Sequence, residues 1–240
     1  MQIEGRNPVK ESLNANISIT KIMIQKGTHN LEDIVALAKE KRIRIDFLDK
    51  FQLDKISETK HHQGIIAFAS DFKYTNIDDL LAIRNPNGNF FLLLDNIEDP
   101  HNLGSIIRVA ECLGVDGVII PNKHSATVNS TVLKISAGAA NFVKISMVSN
   151  INDVIRKLKD DFYMVCCADM DGQVVYDTKL EKQDIALVIG SEVFGVKALT
   201  KKLCDKVLSI PQYGKINSLN ASVACGILCY EISRQRNIKG

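Results

Sequence analysis

A chain of 240 residues, 45% hydrophobic and 24% charged, has the composition of a globular protein and excludes a disordered or collagen-like one. Its net charge of +2 permits a nucleic-acid partner without demanding one. No apolar run is long enough to span a bilayer, and the six cysteines form no C-x-x-C pair, so neither a membrane helix nor a structural zinc site is expected.

The start, "MQIEGRNPVKESL", has no apolar core of a signal peptide, which makes a cytoplasmic address the expectation. Asn7-Pro8 reads as a helix cap followed by proline in the first turn, predicting a short helix over 8–14. Ile19, Ile22 and Ile24 in "SITKIMIQ" predict a strand. Asn30 reads as the cap of a helix over 31–41, with Leu31, Ile34, Val35 and Ala38 at helical spacing. "RIRIDFL" alternates at period two and "GIIAFA" is a short apolar run, so both predict strands. Residues 70–89 carry a polar connection, a helical fragment and a turn rich in Asn, Pro and Gly. The expected division is a small α/β unit over 1–72, a linker region over 73–89 and a larger domain over 90–240.

Beyond residue 89, strands and helices alternate. Strands are expected at 90–95, 117–120, 142–147, 163–168, 185–189 and 207–210. Helices are expected after 102, after 129, over 151–160, after 196 and over 218–236. The strands are short and rich in Ile, Val and Leu, which predicts a mostly parallel sheet covered on both faces. In such sheets ligands bind beyond the carboxyl ends of the strands, so the loops there come first for function.

Three loops carry the chemistry. In "DNIEDPHNLG", Pro100 stiffens the backbone and Asn102 reads as a helix cap. On the helix that follows, Leu103, Ile106, Ile107, Ala110 and Leu113 share a face and Arg108 lies nearly opposite, where an arginine is ordinarily just solvated. In "IGSEVFGV", Gly190 allows close approach to the backbone, Glu192 follows it, and Gly195 starts or stops a helix. A turn with a first-turn acid explains this loop equally well. In "SIPQYGKINSLNASVACGILCYE", Asn217 or Ser218 is the expected helix start, and the amides of Leu219 and Asn220 there suit an anion. A capped core helix with the stripe Leu219, Val223 and Ile227 is the plainer alternative. No G-x-G-x-x-G follows a strand, no phosphate-binding G-x-x-x-x-G-K-[ST] is present, and no G-x-S-x-G elbow appears.

In this order, "NIEDPHNLGSIIRVAECLGVDGVIIP", "LVIGSEVFG" and "IPQYGKINSLNASVA" resemble the three motifs of the SpoU (TrmH) family of RNA ribose 2′-O-methyltransferases, within the SPOUT superfamily. "IEGRNPVKESL" and "HHQGIIA" resemble the L30e-like substrate-binding domain of the bacterial 23S ribosomal RNA guanosine 2′-O-methyltransferases. The resemblance implies S-adenosylmethionine as methyl donor, no metal, a homodimer, an RNA substrate and a trefoil-knot catalytic domain. By matching position, Gly190, Ile210, Ser218, Leu219 and Asn220 would line the cofactor pocket, and Asn102, Arg108 and Glu192 the reacting end. Arg6, Lys10, Lys41, Arg42 and Arg44 would serve RNA capture. The sequence departs from the usual motifs at Val193, Gln212 and Ala221. The target implied is a guanosine of 23S ribosomal RNA. A transfer RNA, an antibiotic-resistance site on ribosomal RNA, or a non-catalytic RNA-binding dimer are the alternatives.

Overall fold

The computed structural model describes residues 1–14, 17–180, 183–192, 194–215 and 218–237, with only the backbone of Asn237. The sequence readings at Val193 and Asn217 lie outside the described residues. The chain forms two compact units, Met1–Lys73 with Asn129–Gly138, and Tyr74–Val128 with Ala139–Gly240. No helix among the described residues is long and apolar enough to cross a membrane.

The first unit runs β1 (Gln2–Glu4), α1 (Arg6–Asn14), β2 (Ile19–Gln25), α2 (Glu32–Glu40), β3 (Arg44–Leu48), α3 (Lys50–Ile56) and β4 (Ile65–Ala69), and also holds α6 (Ser130–Ile135). Its sheet has the order β1-β4-β2-β3, with β2 and β3 parallel and the other pairs antiparallel. Val9 and Leu13 of α1 and Ile34 and Ala38 of α2 share a core with Ile22, Ile24, Ile65 and Ala67. The capping expectations fail at both early helices. α1 starts at Arg6, so Asn7 lies inside it, and Gly5 at φ +93° makes the turn of entry. Asn30 sits at φ +63°, and Leu31 takes the cap position of α2 with no side-chain bond. Two elements were not expected. β1 is too short to show a pattern, while α3 did carry a signal, the reciprocal capping box of Asp49 and Gln52.

Glu4 fastens β1 to the segment after α3. Its carboxylate accepts from Gln2 Nε2 at 2.6 Å, Ser57 Oγ at 2.7 Å, Glu58 N at 2.6 Å, Thr59 N at 3.3 Å and the Thr59 hydroxyl.

The second unit runs α4 (Ile77–Leu81), β5 (Phe90–Asp95), α5 (Pro100–Cys112), β6 (Gly117–Pro121), β7 (Ile145–Val148), α7 (Ile151–Asp160), β8 (Met164–Val174), β9 (Ile185–Gly190), α8 (Ala198–Leu203), β10 (Lys206–Ser209) and α9 (Ala221–Asn237). Its six strands are all parallel in the order β10-β8-β9-β5-β6-β7. β5 and β9 are neighbours at the middle and are buried at every residue, which is why both read as unbroken apolar runs. One face is covered by α7, whose Ile151, Val154, Ile155 and Leu158 pack in a core with Phe91, Leu93, Ala186 and Val188. β7 begins at Ile145 rather than 142, because residues 139–141 form a short 3₁₀ turn. β8 continues past the expected 168 to Val174. α5 begins two residues before Asn102, with Asp99 accepting from His101 N at 2.9 Å. Asn102 is therefore a first-turn residue and not the cap. α9 begins at Ala221, later than expected.

The expectation for Glu4 follows from its bonds. Burial raises its pKa, but the bonds from Thr59, Ser57, Glu58 and Gln2 outweigh that and hold it at about 2, against 4.5 unperturbed. A carboxyl lowered on folding stabilises fully above the unperturbed value, and that stabilisation is lost as pH falls toward 2. Glu4→Gln is expected to cost about 1–3 kcal/mol at neutral pH, with the gap to the parent protein shrinking steadily below 4.5. Urea unfolding of both proteins across that range checks it; a gap independent of pH would show that the charge of Glu4 is immaterial.

Candidate functional site

Residues 168–170 of β8, the loops after β9 and β10 and the first turns of α9 surround a cleft of about 430 Å³. Its apolar wall includes Ile189, Leu208, Ile210, Leu219, Ala224 and Leu228. Gly190, Ser191, Glu192 and Ser218 supply polar and backbone groups. Gly190 pairs with Asp95 at the end of the sheet, and the chain then folds back so that Ser191 and Gly195 exchange two backbone bonds of 2.9 and 3.2 Å. A Cβ on Gly190 would lie 2.1 Å from the carbonyl carbon of Gly195, so no side chain fits there. Gly195, at φ +62°, takes the left-handed conformation that closes this return.

At the mouth, three loops meet on one carboxylate oxygen. Glu192 Oε1 accepts from Asn102 Nδ2 at 3.0 Å, from Ala221 N at 3.2 Å and from the Asn220 side-chain amide. The same Asn220 amide donates to Asn102 Oδ1 at 2.9 Å. Its carbonyl oxygen accepts from Ser222 N at 3.0 Å and Val223 N at 3.3 Å, which makes Asn220 the cap of α9 in place of Asn217 or Ser218. Asn102, Glu192 and Asn220 therefore form one network, and Gly190, Ile210, Ser218 and Leu219 line the cleft beside it. Arg108 stands apart from this network. It lies exposed on α5, past the buried face of Leu103, Ile106, Ile107 and Ala110, and makes no hydrogen bond or ion pair among the described residues.

Sequence reasoning missed two contributors. Asp95, 3% exposed at the end of β5, accepts from Lys197 N at 3.1 Å, and the Lys197 ammonium stands 3.7 Å from its other oxygen. It thereby holds the far end of the Glu192 loop against the sheet; an acid ending an apolar run was the available signal. The second is the wall segment Ala168, Asp169 and Met170, which falls where the strand had been expected to stop.

What the arrangement offers is a small-molecule cleft with an apolar wall, backbone donors and acceptors, and a preformed polar network at one rim. The cap role of Asn220 separates from its amide role by substitution. Asn220→Ala is expected to lower stability by about 0.5–2 kcal/mol, whereas Asn220→Ser, which can still cap, stays within about 0.5 kcal/mol of the parent protein. Urea unfolding measures both, and equal losses would show that capping is not what Asn220 contributes.

The family model described as the SpoU rRNA Methylase family matches residues 89–230, and that described as RNA 2′-O ribose methyltransferase substrate binding matches residues 2–75. A Staphylococcus haemolyticus protein named as a TrmH family tRNA/rRNA methyltransferase is 38% identical over 242 residues, covering 99% of this chain and 97% of its own. Among solved structures, the SpoU methyltransferase AviRb of Streptomyces viridochromogenes, in complex with AdoMet, superposes with a TM-score of 0.76 at 22% identity, covering 100% of this chain and 91% of its own. A Porphyromonas gingivalis protein described as an RNA methyltransferase of the TrmH family gives 0.67 at 27% identity, covering 97% of this chain and 89% of its own.

Proposed function

The chain belongs to the SpoU (TrmH) family of RNA methyltransferases, and on that premise we propose that it transfers a methyl group from S-adenosylmethionine to a ribose 2′-hydroxyl of RNA, a guanosine of 23S ribosomal RNA. The observation that carries this reading is the convergence of Asn102, Glu192 and Asn220, one from each motif, at the mouth of a cleft. The cleft fits the cofactor on its own terms. Its volume suits a small molecule, its wall suits a base and a methylene chain, and Gly190 lets the loop after β9 fold back tightly beside it. Gly190, Ile210, Ser218 and Leu219 would hold it, with Asn220 fixing the helix start beside them. When bound, the cofactor supplies a methyl group activated by a sulfonium centre.

The protein's part is to orient the ribose and stabilise the charge that develops on its 2′-oxygen. Glu192 holds Asn102 and Asn220 in place, and in this reading Asn102 would fix the loop or the ribose. Arg108, exposed and unengaged among the described residues, is free to meet an incoming anion. Deprotonating an ordinary guanidinium at neutral pH costs roughly 7–9 kcal/mol. Arg108 therefore acts as a fixed cation on the developing alkoxide, and water or an RNA phosphate takes the proton.

The match of residues 2–75 to a substrate-binding family supports RNA capture by the first unit, and the match of residues 89–230 to an rRNA methylase family supports a ribosomal target. Dimer formation belongs to the same reading. α9 exposes Val223, Ile227 and Tyr230 at 49%, 40% and 61%, one helical turn apart, a face suited to a second copy. The reading also carries the trefoil knot of the catalytic domain and a cytoplasmic location. Mapping 2′-O-methyls in total RNA from strains with and without the gene tests the target. Loss of one 23S guanosine methyl is expected; a lost transfer RNA methyl moves the target, and no change favours a binding protein.

Arg108 gives the sharper test of chemistry. Arg108→Ala is expected to change stability by only a few tenths of a kcal/mol while slowing single-turnover transfer by roughly 10²–10³-fold. Arg108→Lys should remain slow and show no rise between about pH 6 and pH 10, because an oriented cation loses its planar fork in lysine whereas a true base would regain activity as lysine deprotonates.

A further inference from the structure

β8 follows β9 from Met164 to Cys167 and meets β10 at Cys166 and Cys167. It then leaves both. Pairing with β10 resumes only at Gln173 and Val174, opposite Leu208 and Ser209, although Leu208 directly follows the last paired residue, Val207. Residues 168–172 thus stand outside the ladder. The excursion is fastened at its far end. Gly172 lies so close to β10 that a Cβ on it would be 2.5 Å from the Val207 carbonyl oxygen, and Ser209 Oγ donates to the Gly172 carbonyl oxygen at 2.9 Å. Irregularities of this kind re-aim side chains near functional sites. Here the result is that Ala168, Asp169 and Met170 become part of the cleft wall.

Asp169 is built in rather than left to solvent. Its side chain is 22% exposed; one oxygen accepts from Asp171 N at 3.2 Å and the other from Lys201 Nζ at 2.9 Å. Burial raises its pKa, but these bonds outweigh burial and keep the carboxyl below its ordinary value. The Met170 backbone also bonds this carboxylate, and the acceptor capacity of its two oxygens still leaves room for a ligand. Glu192, the other carboxylate on the described cleft wall, already accepts from Asn102, Asn220 and Ala221.

We propose that Asp169 accepts hydrogen bonds from the ribose hydroxyls of the cofactor's own nucleoside, an inference that rests on the S-adenosylmethionine reading above. Lys201 pairs with Asp169 at 2.9 Å and also stands 4.0 Å from the exposed Asp171, so the charge of Asp169 is partly offset. That suits a neutral donor better than the ammonium of the cofactor's amino-acid half. A vicinal diol brings neutral donors of this kind, while the base is better matched to Leu208, Ala224 and Leu228.

The test is calorimetric titration of the full chain with S-adenosylhomocysteine, which has no methyl to transfer, and with its 2′-deoxy and 3′-deoxy analogues. Asp169→Ala should weaken binding of the intact ligand roughly 10- to 100-fold. Against at least one deoxy analogue the same substitution should cost little, because the donor it served is gone. Asp169→Asn, which keeps shape and one acceptor oxygen, should show the same pattern to a smaller degree, and it decides the matter if the alanine variant melts early. Equal weakening toward all three ligands, or none toward any, overturns the assignment while leaving the cofactor reading standing. Failure of the parent protein to bind S-adenosylhomocysteine overturns both.

Discussion

The site depends on a single carboxylate oxygen. Glu192 Oε1 draws donors from the first turn of α5, from the cap of α9 and from the α9 backbone. An anion at a helix start is favoured by the helix dipole as well as by the bonds themselves. The acid has no strand or helix of its own; it rides on a five-residue return whose base is closed by Ser191 and Gly195 and whose far end is tied to Asp95. Everything around the cleft mouth is thereby referenced to the two middle strands, β5 and β9, the most buried part of the sheet.

The sheet itself was legible because its strands are buried on both faces and show it in composition. β5 falls where the apolar run at 90–95 placed it, and α7 where the period of Ile151, Val154, Ile155 and Leu158 placed it. Caps were less legible. Asn7, Asn30 and Asn102 each looked like a helix start, yet Gly5, Leu31 and Asp99 occupy the decisive turns. An asparagine serves a left-handed turn or a side-chain network as readily as a cap, and which role it takes is settled by partners distant in the chain. Asn102 shows this best, since its partners are Glu192 and Asn220. The excursion in β8 was illegible for a related reason. Its residues follow no period, and what holds it is backbone contact between Gly172 and β10.

The first unit shows why basic residues in a sequence are an imperfect guide to a binding face. Lys10 is paired with Asp33, and Arg44 with Asp46. The Arg6 guanidinium donates to the Gln63 carbonyl oxygen at 3.3 Å. Such exposed pairs are worth little and exchange readily, so each of these cations would have to leave an existing partner to meet a phosphate. A phosphate met through them would gain less per residue than one met by a free cation.

The network at the cleft mouth also sets an order of events in time. Asn102 and Glu192 are separated by 90 residues, and Asn102 and Asn220 by 118. Contacts so distant along the chain close large loops and form late. During synthesis the last donor, Ala221 N, emerges after every strand of the sheet. The parallel sheet can begin to assemble on the ribosome, but the mouth of the cleft has no complete donor set until the start of α9 has been made. A truncated or stalled product would therefore carry the sheet without the site.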